Sequence, residues 1–192
     1  MGQRMIGGAG DEQRWSLGGA RQVVVRAARE SDETALRRFI DGLTRESRYF
    51  RFLSGSRVPD EAIRSFVGPR ADAGRSRDVT LVVMAGDEVV ANAMYVVNDA
   101  DEAEFAVVVA DAWQGHGLGR RLIQHLQQRA RAAGLRGMRG DVLSENRRML
   151  AIVRGLGFGT RRHPEDSYLH EVSLRLTSSH REDWLARDWF EA

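Results

Sequence analysis

The sequence predicts an α/β (α+β) protein with a mixed, mostly antiparallel central sheet of about seven strands and helices on both faces. Strand-like runs follow one another as a meander between residues 79 and 110, and later strands alternate with helix-like segments. The chain has 192 residues, of which 42% are hydrophobic, so we expect one domain with a substantial core.

The first 40 residues contain an aperiodic segment followed by a predicted strand and a predicted helix. Residues 1–20 are aperiodic and glycine-rich, so we expect a flexible leader there. The run RQVVVRAA at 21–28 predicts the first strand. Ser31 is placed to cap a helix whose apolar positions are Leu36, Phe39 and Ile40.

Two short helices and a hairpin are expected next. The helices cover residues 45–55 and a segment from Pro59 onward, since proline suits the first helical turn. A polar loop at 70–78 leads into the strands VTLVVMA and EVVANAMYVV, which residues 86–87 join as a hairpin.

The second half of the chain alternates strands and helices. After a strand at 101–110, a helix that ends near Gly134 has an apolar face formed by Leu118, Leu122, Ile123, Leu126 and Ala130. A strand at 135–143 follows. Ser144 is then expected to cap the helix of ENRRMLAIVRGLG. The segments FGTRRH and DSYLHEVSLRL predict a closing hairpin. The tail at 178–192 is expected to pack on the domain or to face a partner, because it has helical spacing of Trp184, Leu185, Trp189 and Phe190.

Composition argues against several classes of function. The chain has no cysteine, which excludes disulfides, thiolate nucleophiles and cysteine zinc sites, and the histidines lack metal-ligand spacing, so no metal is expected. The formal net charge is only +2 with both signs interspersed, which argues against nucleic-acid binding. No apolar run approaches the roughly 20 residues that span a bilayer, and no signal-peptide pattern is visible. We therefore expect no membrane association and a cytoplasmic location.

A glycine-spaced loop joins the strand at 101–110 to the next helix. Gly115, Gly117 and Gly119 lie where the first helical N–H groups have no backbone partner and the helix dipole adds positive charge. Glycines let this backbone approach a bulky anion, so the loop predicts a phosphate site. A mononucleotide P-loop requires Gly-Lys-Ser/Thr, whereas Arg120 follows here, and a dinucleotide fold requires GxGxxG early in a parallel unit. A turn chosen only for packing is the remaining alternative.

The segment QGHGLG, from Gln114 to Gly119, resembles the Gln/Arg-x-x-Gly-x-Gly/Ala signature of the GNAT superfamily of acyl-CoA-dependent N-acetyltransferases. The segment SENRRMLAIVRGLGF is similar to a later motif of that family, in which an Asn, here Asn146, begins a helix that ends in Gly-Phe. The resemblance implies a GNAT acetyltransferase domain over residues 21–177 with acetyl-CoA as co-substrate.

The resemblance also implies how acetyl-CoA binds. Backbone N–H groups of about residues 115–120 would hold the pyrophosphate, and the pantetheine arm would lie between two splayed strands. The implied cofactor-binding residues are Val107, Val108, Val109, Gln114, Gly115, His116, Gly117, Leu118, Gly119, Arg120, Asn146 and Met149. Arg120 and Arg121 are either ligands of the ribose phosphate or part of a solvated helix face. His116 is either a phosphate ligand or an exposed residue without a role.

Acetyl transfer to a lysine amine requires a base, because that amine is mostly protonated near pH 7. Glu104 is the candidate, since it lies between Ala103 and Phe105, where partial burial would suit a proton acceptor, and the family's base commonly lies on this strand. A carboxylate that only solvates the strand start is the alternative. The family's general-acid Tyr is replaced here by Val153. Water or Tyr168 could act instead, although packing is the more natural role for Tyr168.

The segments LTRESRYFRFL and AEFAVVVADAWQGHGLG look like the Pat-type bacterial protein lysine acetyltransferases, which acetylate the catalytic lysine of AMP-forming acyl-CoA synthetases. The resemblance implies such a protein substrate. Enzymes of this type usually carry a second regulatory domain, so the chain is either a stand-alone form or a unit fused to such a domain in the native protein. Direct transfer in a ternary complex is expected, because no cysteine exists and no serine is set up as a nucleophile. The alternatives are a small-molecule amine N-acetyltransferase and a catalytically idle acyl-CoA-binding regulatory module.

Overall fold

The computed structural model describes residues 12–18, 21–67 and 77–176 of the chain. The strands found there are β1 (Gln13–Leu17), β2 (Arg21–Ala27), β3 (Val79–Ala85), β4 (Glu88–Val97), β5 (Glu102–Val109), β6 (Gly137–Leu143), β7 (Gly159–Arg162) and β8 (Leu169–Arg175). The helices found there are α1 (Glu33–Asp41), α2 (Arg45–Phe52), α3 (Asp60–Arg64), α4 (Leu118–Ala132) and α5 (Arg147–Arg154).

The described strands form one mixed, mostly antiparallel sheet. Their order is β1-β2-β3-β4-β5-β6-β8-β7, and each neighbouring pair is antiparallel except β5 and β6. Parallel neighbours need a crossover connection, which α4 supplies between β5 and β6. The predicted sheet is confirmed, with one strand more than expected.

Helices cover both faces of this sheet, as predicted. Along β5 the side chains alternate: Phe105 and Val107 pack in the cluster that contains the apolar face of α4, whereas Val108 packs with residues of α1 and α3. The predicted apolar face of α4 is confirmed, because each of its five residues is at most 1% exposed: Leu118, Leu122, Ile123, Leu126 and Ala130. None of the helices among the described residues is long and apolar enough to span a membrane.

The expectation of a flexible leader is wrong for residues 13–17, which form edge strand β1 beside β2. Trp15 is the reason: it is buried, and its ring meets His125 of α4 edge-on with 5.6 Å between the ring centroids. A tertiary contact therefore orders a segment with too few apolar residues to show alternation. Residues 1–11, most of the polar loop at 70–78 and the tail at 178–192 lie outside the described residues.

Three helix ends differ from the prediction. Asp32 rather than Ser31 precedes α1, because Ser31 lies inside a short 3-10 turn, Glu30–Asp32. Helix α2 ends at Phe52, since Leu53 adopts a left-handed conformation with φ of 54°. Pro59 precedes α3 as its N-cap instead of forming its first turn.

The cap of α5 is also displaced from the predicted position. Asn146 occupies it, and its side-chain oxygen accepts a hydrogen bond of 3.1 Å from the backbone N–H of Met149. The hydroxyl of Ser144 instead lies 3.1 Å from His170 Nδ1 on β8. Ser144 is thus drawn to a tertiary partner, which leaves the amide side chain to cap the helix.

The pairing between β5 and β6 is short, and this determines where a ligand can enter. The paired residues are Glu102 with Gly137, Ala103 with Met138, and Glu104 with Arg139. No further pair forms between these two described strands, although β5 runs to Val109 and β6 to Leu143. The two strands therefore separate beyond their third pair, as the expected splay requires.

Candidate active site

A cavity of about 770 Å³ occupies the gap where β5 and β6 separate. Its walls are the end of β5 from Phe105 to Val109, residues 140–142 of β6, the loop after β5, the start of α4, and side chains of α2 and α5. Residues from both faces of the sheet line it, so the cavity passes between the strands. Its volume is in the range of protein sites for cofactor-sized molecules.

One end of the cavity is the glycine turn before α4. Gly115 and Gly117 have φ of +87° and +80°, a backbone conformation that side chains strongly disfavour. None of the described residues accepts a hydrogen bond from the backbone N–H groups of residues 115–117. Together with the free N–H groups that begin α4, they can bind several oxygens of one anion.

A hydrogen-bond network holds the loop that precedes this turn. Asp111 accepts hydrogen bonds from the hydroxyl of Ser47 at 2.8 Å, the hydroxyl of Thr44 at 2.9 Å and the backbone N–H of Thr44 at 3.1 Å. Burial raises the pKa of Asp111, but these hydrogen bonds outweigh it and hold the pKa below its usual value. The loop is thereby joined to the start of α2 by an ionised carboxylate.

The network continues across the mouth of the cavity through Gln114. Its side-chain nitrogen donates to Ser47 Oγ at 3.2 Å and to the carbonyl of Val109 at 3.1 Å, and its oxygen accepts from Arg148 Nη1 at 2.9 Å. Arg148 also lies beside the glycine turn, because its Nη2 is 3.4 Å from the position that a Cβ on Gly115 would occupy. Helix α2, the glycine loop and α5 therefore meet at this end of the cavity.

Most of the sequence-predicted cofactor-binding residues line this cavity: Val107, Val108, Val109, Gln114, Gly115, Gly117, Leu118, Gly119, Arg120, Asn146 and Met149. His116 is not among the lining residues. Arg121 faces away, since its guanidinium carbon lies 4.3 Å from the Trp15 ring centroid and its Nη1 donates to the carbonyl of Ser16.

Glu104 lies on β5, the strand on which it was expected, but its environment differs from the expectation. Its side chain is exposed, so the expected partial burial is wrong. Glu104 stands on the face of the sheet opposite to Phe105, next to the cavity but not in its wall. None of the described residues forms an ion pair or hydrogen bond with its carboxylate. An incoming amine can therefore approach this carboxylate from solvent.

Neither Val153, which stands in place of the family's general-acid Tyr, nor Tyr168, which was the side-chain alternative, lines the cavity. Val153 is fully buried in the core, and the side chain of Tyr168 is 75% exposed on the strand connection before β8. The expectation that Tyr168 packs is therefore wrong, and Tyr168 is not among the residues that line the cavity. No group of three or more His, Asp or Glu side chains within the described ranges is arranged to hold a metal ion.

Sequence reasoning missed the charged residues that α2 and α5 bring to the cavity. Helix α2 contributes Glu46, Ser47, Phe50 and Arg51, and α5 contributes Arg147 and Arg148. The helical spacing of the α2 residues places them on one face, a signal that was available in the sequence. Their arrangement opposite β5, however, comes only from tertiary packing.

Comparison with known proteins agrees with this geometry. Residues 43–158 match the Acetyltransferase (GNAT) family. An acetyltransferase of Pseudomonas aeruginosa is 31% identical over 172 residues, which covers 86% of this chain and 91% of the relative. The GNAT domain of S. lividans PAT is 26% identical with a TM-score of 0.77, and the match covers 86% of this chain and 97% of that domain. The yncA structure from Salmonella typhimurium, which contains its cofactor acetyl-CoA, shares the fold at a TM-score of 0.66 and 22% identity, over 84% and 98% of the two chains.

Proposed function

The chain belongs to the GNAT family of acetyltransferases, enzymes that use acetyl-CoA to acetylate amines, and from that premise we propose that its acceptor is the ε-amine of a lysine in a protein. The exposure of Glu104 carries this choice. A carboxylate that is open to solvent beside the cavity can be reached by a lysine on the surface of a folded protein. A small-molecule acceptor would favour an enclosed acidic pocket instead.

The residues of the cavity fit acetyl-CoA. The unpartnered N–H groups of residues 115–117 and the first turn of α4 suit the pyrophosphate, and Arg148 lies beside that turn. Arg120 also lines the cavity, but its Nη2 donates to the carbonyl of Gly155, whereas Nη2 of Arg148 lies beside Gly115, so we favour Arg148 as the phosphate ligand. The gap between β5 and β6 suits the narrow pantetheine arm.

Glu104 accepts the proton that the lysine ammonium must lose, either directly or through water. The neutral amine then attacks the thioester carbonyl of acetyl-CoA, so that a C–N bond forms and the C–S bond breaks. The thiolate of CoA leaves, and the second proton that the nitrogen loses on forming the amide passes to it through water. A free backbone N–H near Val109 would stabilise the charge on the carbonyl oxygen.

The acceptor protein is, in this proposal, an AMP-forming acyl-CoA synthetase, and the reaction takes place in the cytoplasm, where that enzyme and acetyl-CoA would meet. The likeness to the GNAT domain of S. lividans PAT supports this identification. A second regulatory domain fused to the native chain is part of the same proposal.

Intact-protein mass spectrometry of an AMP-forming acyl-CoA synthetase, incubated with acetyl-CoA and this protein, tests the proposal. We expect one added acetyl group with the wild type and a kcat about 100-fold lower with Glu104→Gln, at an unchanged KM for acetyl-CoA. Glu102→Gln is the matched control, because it removes the same charge from the same strand further from the cavity. Equal rates for wild type and Glu104→Gln would exclude Glu104 as the base. No transfer to the synthetase, with transfer to small amines, would replace the protein acceptor by a small molecule.

A further inference from the structure

Arg51, near the end of α2, has an unusual environment. Its guanidinium carbon lies 4.8 Å from the ring centroid of Phe52 and 5.5 Å from that of Phe66, and its Nη2 lies 3.3 Å from the sulfur of Met94. Its Nε is buried without a hydrogen-bond acceptor. No carboxylate among the described residues lies within ion-pair distance of Arg51.

This arrangement shields part of a positive charge from water, because Arg51 is half-buried and its Nε is inaccessible. Burial lowers the pKa of Arg51 to about 10, so the guanidinium remains a cation near pH 7. The aromatic faces offset part of the cost of desolvation, but the buried Nε has no acceptor and Nη2 meets only the weakly accepting sulfur of Met94. A carboxylate would complete this environment, because it matches the planar geometry of the guanidinium.

Arg51 also lies where the acceptor enters. It lines the cavity together with Glu46 and Phe50 of the same helix. Met94, which it contacts, is paired with Ala106, and Ala106 is two residues along β5 from Glu104. Side chains two apart on a strand share a face and stand about 7 Å apart. Arg51 and Glu104 therefore lie on the same face of the sheet.

We propose that Arg51 binds a carboxylate carried by the acceptor, so that the enzyme prefers amines with an acidic group within one side chain's reach of the nucleophilic nitrogen. Glu104 would receive the ammonium end of such an acceptor, and Arg51 the carboxylate end. The inference rests on amine acetylation, which the proposed function shares, and it holds whether the acceptor is a protein or a small molecule.

Paired acceptors that differ only in this group test the inference. Nα-acetyl-lysine carries the carboxylate and Nα-acetyl-lysinamide lacks it, and a lysine peptide with a neighbouring Asp or Asn forms a second pair. We expect kcat/KM of the wild type to be at least tenfold higher for the acidic member of each pair, mainly through KM. Arg51→Met should lose this preference, because methionine retains the apolar packing without the charge, and Arg51→Lys should keep part of it.

Arg48→Met is the matched control. Arg48 lies on the same helix and also has a buried Nε without an acceptor, but it does not line the cavity. It should keep the preference for the acidic acceptors. A wild type without preference, or an Arg51→Met variant that retains it, would overturn the inference and leave Arg51 with a packing role only.

Calorimetric titration with the acidic and neutral acceptors in the presence of CoA gives a readout that needs no turnover. If no lysine compound is acetylated but the acid binds more tightly than the amide through Arg51, the proposed protein lysine acceptor is wrong and the inference stands. The carboxylate could instead belong to the acyl group. In that case kcat/KM would be higher for succinyl-CoA than for propionyl-CoA only when Arg51 is present, acidic acceptors would show no preference, and the inference would be wrong.

Discussion

Asp111 Oδ1 and Ser47 Oγ are joined by a hydrogen bond of 2.8 Å although 64 residues separate them in the chain. Asp111 begins the loop that leads to the glycine turn, and Ser47 lies in the first turn of α2. The bond therefore connects the loop that we propose binds acetyl-CoA to α2, which in the same proposal faces the acceptor. We expect the two elements to keep a common geometry during catalysis.

Asp111→Asn should weaken this connection. The asparagine has one accepting oxygen, so it can serve either the two hydroxyls on Oδ1 or the backbone N–H of Thr44 on Oδ2 but not both, and the charge that strengthens these bonds is lost. We expect the free energy of unfolding to fall by about 1–3 kcal/mol and the KM for acetyl-CoA to rise. Urea denaturation and steady-state kinetics measure the two effects.

Asp141→Asn provides the comparison for that variant. Asp141 is an exposed residue of the cavity wall without a hydrogen bond or ion pair to the described residues. Its replacement should change the free energy of unfolding by less than about 0.5 kcal/mol. Equal stability losses in the two variants would contradict a special role for Asp111.

Gly117→Ala should impair acetyl-CoA binding. A Cβ at this position meets no atom within 4 Å, so the cost arises from the positive φ of +80°. We expect a loss of about 1–2 kcal/mol of stability and, because the turn must shift, a severalfold higher KM for acetyl-CoA. Gly86→Ala has the same strain, at φ of +60° with open space around it, but lies in the β3–β4 turn. A rise of KM in both variants would show that strain alone is responsible.

Arg148→Met should raise the KM for acetyl-CoA about fivefold while kcat stays close to the wild-type value, because Arg148 faces the glycine turn and not the acceptor. Arg154→Met is the control on the same helix, since Arg154 bonds to Thr160 outside the cavity. A fall in kcat at constant KM for Arg148→Met would contradict the assignment.

Asp32 lies away from the cavity, and Asp32→Asn should lower the free energy of unfolding. The Asp32 carboxylate is buried and accepts hydrogen bonds from Arg26 at 2.7 and 2.8 Å and from the backbone of Arg29 at 2.8 Å. Removing its charge leaves the Arg26 guanidinium with only the longer ion pair to Glu12 at 4.0 Å, at a cost of about 1–3 kcal/mol at neutral pH. Glu33→Gln breaks an exposed pair with Arg64 and should cost less than about 1 kcal/mol.

The contribution of Asp32 to the free energy of unfolding should decrease as the pH falls. The hydrogen bond from Arg26, against the opposing effect of burial, holds the pKa of Asp32 below its usual value. The stabilisation is therefore fully present above the unfolded-state pKa of about 4 and is lost as pH falls through the lower folded-state pKa. The stability difference between wild type and Asp32→Asn should stay constant from pH 6 to 8 and shrink below about pH 4. A difference that grows on acidification would contradict this account.

The order of elements and the glycine turn were predictable because each depends on local rules. The hairpin at Gly86, the apolar face of α4 and the turn at Gly115 and Gly117 follow from periodicity and from backbone conformations that glycine permits. Strand β1 was not predictable, because its order depends on the contact of Trp15 with α4. The caps at Ser31 and Ser144 were wrong for a related reason: neighbouring residues and tertiary partners compete for the same hydrogen bonds.

The sequence by itself determined the mixed sheet, the glycine turn before α4 and the family to which the chain belongs, because these features are encoded by nearby residues at regular spacing. Only the tertiary structure decided that Glu104 is exposed, that Asp111 joins α2 to the loop, and that Arg51 stands unpaired beside the cavity. Exposure and pairing depend on which distant side chains meet across β5, and that is a property of packing between segments.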